Sequence, residues 1–130
     1  MTKQEHIQYW LKTADEDLIT ANYLFKTKRY LHCLFFVHLY LEKLCKALWV
    51  KSHKNNFPPR IHNLVYLLEQ SDIVLTTEQK DFLIVMNDFQ LEGRYPDYQR
   101  IVYKRCTRQK TQKLFNTAKQ IGKWLHNKLQ

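Results

Sequence analysis

His38, Glu42 and Lys46 follow one another at intervals of four in a strongly apolar stretch. On a helix that spacing stacks them along one edge of a face. A carboxylate in such surroundings needs a partner, because burying a lone charge is costly. Lys46 offers one, in the favourable order with Glu before Lys. Two readings stay open: a structural ion pair at the edge of the core, or a polar patch lining a ligand cleft. His62, which follows Pro58-Pro59, either fixes that loop by a cap or hydrogen bond or approaches Glu42 and Lys46 in space. A metal held by His38, Glu42 and His62 has no HxxxH or HExxH spacing behind it. No metal and no cofactor are expected.

The second candidate is Arg94-Tyr95-Pro96-Asp97-Tyr98, which puts a guanidinium, two phenols and a carboxylate on one short segment. The planar fork of Arg suits phosphate, and a phenol ring offers a face on which a base can stack. Alternatively Arg94 pairs with Asp97 while the tyrosines pack a helix join. A third feature is a mostly basic stripe on the last helix, with Arg105, Arg108, Gln112, Asn116, Lys119 and Lys123 at steps of three and four. Such a stripe tracks a phosphate backbone or simply faces solvent.

Charge favours an anionic partner. The chain of 130 residues carries a formal +9. Residues 1–93 balance, with eleven basic and eleven acidic side chains, whereas residues 94–130 hold ten Lys or Arg against the single acid Asp97. That asymmetry suggests a nucleotide, a nucleic acid or an acidic protein. With only Gly93 and Gly122, the chain has no Gly-rich phosphate loop. No GxSxG elbow or paired catalytic carboxylate is visible. Cys33, Cys45 and Cys106 are an odd count without CxxC spacing, which argues against a disulfide framework or zinc site and for a reducing compartment. No signal peptide or bilayer-length apolar run is present, so a soluble cytoplasmic protein is expected.

The elements that must position these residues are helices. Ile7, Trp10, Leu11, Ala14, Leu18, Ala21, Leu24 and Phe25 step by three and four, behind a capping signal in Thr2 and Glu5. Asp15 and Glu16 should face solvent and Asp17 the apolar seam. A second helix runs from Tyr30 to about His53. Phe35, Phe36, Leu39 and Trp49 widen its stripe beyond one face, which predicts packing against two neighbours and a second copy of the chain. After the Pro-Pro loop, a short helix is expected from about His62 to Gln70. The next is capped by Thr76 with Gln79 and reaches about Leu91, with Gly93 ending it and Pro96 enforcing the break. Residues 94–98 should be irregular, and a last helix should span Thr107 to Lys128. The prediction is a single all-α domain over residues 1–130, an antiparallel up-and-down bundle of four long helices and one short.

These residues resemble the HEPN family (higher eukaryotes and prokaryotes nucleotide-binding). The matching pieces are Ala14, Asp15, Asp17, Leu18 and Ala21; Tyr30; Glu42-Lys43-Leu44-Cys45-Lys46-Ala47; His62-Asn63-Leu64, with Asn where the family has Asp; and Arg94-Tyr95-Pro96-Asp97. The likeness covers about residues 5–125. It implies a bundle that usually dimerises and often acts beside a small nucleotidyltransferase. Some branches of the family are metal-independent RNases that use an Arg followed, after four to six residues, by a His. None of Arg29, Arg60, Arg94, Arg100, Arg105 and Arg108 has a His at that distance; Lys119 and His126 have the spacing with Lys in place of Arg. The expected function is therefore a non-catalytic module that binds a nucleotide or RNA. The alternatives are a divergent RNase and a purely structural oligomerising subunit.

Overall fold

A computed structural model describes residues 1–92 and 94–130. Among them are six helices and no strands: α1 (Lys3–Lys26), α2 (Tyr30–Ser52), α3 (Leu64–Gln70), α4 (Thr77–Asn87), α5 (Pro96–Lys104) and α6 (Arg108–Asn127). The four longest form the antiparallel bundle, α1 and α4 running opposite to α2 and α6. Phe25 at the end of α1 meets Phe115 near the start of α6, with ring centroids 6.3 Å apart. Lys51 at the end of α2 donates to Lys128 O, just past the end of α6, at 2.7 Å.

Local sequence explains the ends. Thr2 Oγ1 accepts from Glu5 N–H, and Thr107 Oγ1 from Lys110 N–H. Thr76 and Gln79 complete a reciprocal capping box. The turn after α1 is a Schellman motif without glycine. Lys28 takes φ 63° at the position after the cap, with Lys28 N–H bonded to Phe25 O and Arg29 N–H to Leu24 O. Asp72 repeats the arrangement after α3 at φ 58°, with Asp72 N–H on Glu69 O and Ile73 N–H on Leu68 O. Lys3 reaches across from α1 to close the end of α2, donating to Val50 O at 2.8 Å and to His53 O. A cation is favourable at a helix C-terminus.

Several expectations change. Residues 96–98, expected to be irregular, instead open α5: Pro96 occupies its first turn, where the missing N–H costs nothing, and Asp97 sits beside it. The bundle thus has six helices rather than four long and one short. The fourth helix stops at Asn87 instead of Leu91, and Gly93, expected to end it, lies outside the described residues. The short helix begins at Leu64, because Asn63 caps it through Tyr66 N–H. Instead of two neighbours, α2 packs against all five other helices. Its apolar surplus is largely covered by its own chain: Trp49 is buried, and Phe35 and Phe36 are half-buried against the core. Asp15 and Glu16 face solvent while Asp17 is buried. No helix among the described residues is long and apolar enough to cross a membrane.

Candidate nucleotide-binding cleft

The centre of α2 carries the polar cluster. Glu42 is 5% exposed and Lys46 7%. Lys46 Nζ donates to Glu42 Oε2 at 2.9 Å, and His62 Nδ1 lies 2.8 Å from Glu42 Oε1. The carboxylate accepts, so Nδ1 of His62 carries a proton and Nε2 faces outward. His38, fully buried, sits one turn back with Nδ1 3.7 Å from Glu42 Oε1. Its Nε2–H donates to His62 O at 3.1 Å. Burial pushes the imidazole of His38 below its ordinary value of 6.5, against the opposing pull of Glu42. His38 is therefore neutral and ties the backbone of His62 to α2, while Glu42 orients the ring. His38, Glu42, Lys46 and His62 are thus gathered into one network.

The outer side of His62 opens on a cleft of about 320 Å³, lined by His62, Asn63, Asn87, Gln90, Glu92 and Arg94. Asn63 and Asn87 hold its floor: Asn87 Oδ1 accepts from Leu64 N–H at 3.2 Å, and Asn87 Nδ2 lies 3.4 Å from Asn63 Oδ1. At the rim the Arg94 guanidinium lies 4.4 Å over the ring of Tyr98. Tyr98 is anchored by its hydroxyl, which donates to Asp88 O at 3.1 Å. Among the described residues Arg94 makes no ion pair with Asp97, which sits exposed in the first turn of α5. Tyr95 is 82% exposed and keeps both ring faces free for stacking.

The basic stripe does not join this cleft. Arg105 is not on the last helix; it caps α5 and lies 3.8 Å from Asp88. Arg108 stands over the Phe25 ring, and Lys119 over Phe115. Lys123 is exposed on α6. None of the four lines the cleft. His126 lines a separate groove with Gln8, Leu11 and Asp15. Among the described residues no three His, Cys, Asp or Glu side chains are grouped to hold a metal ion. Asn87, Gln90 and Glu92 were not legible as site residues, since nothing in their spacing signals a ligand. They reach the cleft because the chain turns sharply after α4.

A HEPN domain model matches residues 7–128 of the chain. The chain belongs to the HEPN family. Comparison with curated proteins and with solved structures gives no match. This HEPN domain keeps the Glu42-to-Ala47 pattern as the buried cluster of α2, and Arg94-Tyr95-Pro96-Asp97 as the rim of the cleft and the start of α5.

Proposed function

We propose that this HEPN domain is a non-catalytic module that binds a nucleotide or RNA, beside a small nucleotidyltransferase partner, in the cytoplasm. The observation that carries the reading is the cleft. Arg94 stands at its rim, held on Tyr98, and His62 presents Nε2 to it while Glu42 fixes the ring from behind. A phosphate takes the guanidinium and, when His62 is protonated on both nitrogens, its Nε2–H, and Tyr95 stacks a base. The excess of cations after residue 93 draws the anion in. A second copy of the chain completes the assembly, as the resemblance implies.

Calorimetric titration of ATP, GTP and a short RNA at two salt concentrations tests this. Binding should weaken as salt rises. Arg94→Ala should cost about 1–3 kcal/mol, the range for a hydrogen bond to a charged group. Lys119→Ala, on a screened surface, should cost less. If no ligand binds below millimolar, or Arg94→Ala binds as well as wild type, the structural-subunit reading takes its place.

One observation favours the RNase reading. Arg94 and His62 line the same cleft although they are far apart in sequence, so an Arg and a His meet in space without the family's spacing. Purified protein should nonetheless leave single-stranded RNA intact. Cleavage that survives EDTA and is lost in His62→Ala would replace the binding-module reading with the enzyme.

A further inference from the structure

Gln90 and Glu92 line the cleft together with Arg94 and His62. Gln90 is only 5% exposed. Its Oε1 accepts from Glu92 N–H at 2.7 Å. That bond fixes the orientation of the amide, because only the carbonyl oxygen can face a backbone donor. The NH2 group is left on the other side, and among the described residues Nε2 has no hydrogen-bond partner. Buried donors are nearly always satisfied, so an orphan on a cleft wall marks the place of a missing acceptor. Glu92 supplies the second observation. Its carboxylate, on a side chain 68% exposed, sits 3.7 Å from Nε2 of His62. It is an internal anion placed on the nitrogen that, in the doubly protonated ring, a bound anion would use.

We propose that the cleft takes the terminal phosphomonoester of a nucleotide or RNA end: the phosphate displaces Glu92 from His62, and Gln90 Nε2 donates to one of its oxygens. The proposal rests on the nucleotide-binding reading and sharpens it to one ligand class. Charge sets the choice. A phosphomonoester carries about −1.5 to −2 at neutral pH, against the single charge of Glu92 or of an internal phosphodiester, so the monoester is the better competitor. Size agrees, since about 320 Å³ is near the lower bound for ligand sites, roughly 300 Å³. It suits one nucleotide.

The test is calorimetric titration of AMP and of the dinucleotide ApA, whose only phosphate is a diester, into the wild type, Gln90→Glu, Glu92→Gln and Arg94→Ala. AMP should bind at least about tenfold more tightly than ApA, and Gln90→Glu, which keeps the carbonyl for Glu92 N–H but removes the donor, should lose about tenfold for AMP. Glu92→Gln, at an exposed position, should gain roughly threefold, the scale of one screened ion pair. Equal affinity for AMP and ApA, with Arg94→Ala weakening both, overturns this proposal and leaves the nucleotide reading standing. If neither ligand binds, both fall. Should Gln90→Glu fail to fold, Glu92→Gln decides: unchanged or weaker AMP binding rejects the displacement.

Discussion

Glu42 is the residue on which the cleft depends, and its energetics follow from its partners. A carboxylate this buried is tolerated because Lys46 and His62 both donate to it. Lys46→Met keeps the volume and the packing against Trp10 but strips one partner. It should destabilise the fold by on the order of 3 kcal/mol, since an uncompensated buried charge remains; a urea-denaturation change below about 1 kcal/mol would show the pair to be solvent-screened. His38 makes a pH prediction. Burial holds its folded pKa below the ordinary 6.5, so the unfolded chain binds a proton that the native state refuses. Stability should then fall as the pH drops through 6.5 toward the folded value, and be unaffected by this residue above it. His38→Gln, which can still donate to His62 O, should flatten that part of the profile in thermal melts at pH 7.5 and 5.5. An unchanged slope would mean that His38 takes up its proton equally in the folded and the unfolded chain.

At the scale of elements, Tyr40 of α2 packs directly on Gly122 of α6. A Cβ there would overlap the ring and hydroxyl of the buried Tyr40. Gly122→Ala gains helix propensity of about 1 kcal/mol but must displace a buried aromatic, which costs about 1–3 kcal/mol. The expected outcome is a lower melting temperature, relieved when Tyr40 is shortened to Leu in the same chain; a rise in the single variant would show that Tyr40 moves freely. This glycine drew no structural expectation from the sequence, because only packing reveals its role. The long helices were legible, since stripes such as Ile7 to Phe25 repeat with the helical period and Thr76 with Gln79 forms the capping box their spacing implies. What misled was punctuation. Pro96 starts α5 rather than breaking a helix, and Lys28 and Asp72 make left-handed turns where glycine would have announced them. Of the candidate site, the intervals between His38, Glu42 and Lys46 foretold the ion pair of Glu42 and Lys46. The approach of His62 was one of two options, and the far wall formed by Asn87, Gln90 and Glu92 depends on a turn that no residue spacing encodes.

Over the whole molecule, charge and apolar surface divide. The basic side chains of α6 are exposed, on the side away from its buried residues Phe115, Ala118, Ile121 and Leu125, and none of them lines the cleft. The widened stripe of α2 no longer argues for a dimer, because the chain itself covers most of it. We propose Ile19 and Tyr23 on α1, 57% and 65% exposed and one turn apart, as the seat of a second copy. Light scattering across a range of concentrations should give a dimer mass that Tyr23→Glu reduces to the monomer; a concentration-independent monomer would reject the assembly. Chemical-shift mapping by NMR as AMP is added reads directly whether anions bind between His62 and Arg94. The largest changes should fall on His62, Asn63, Gln90 and Arg94, with small shifts along α6. Changes centred instead on Arg108, Lys119 and Lys123, with the cleft silent, would contradict it.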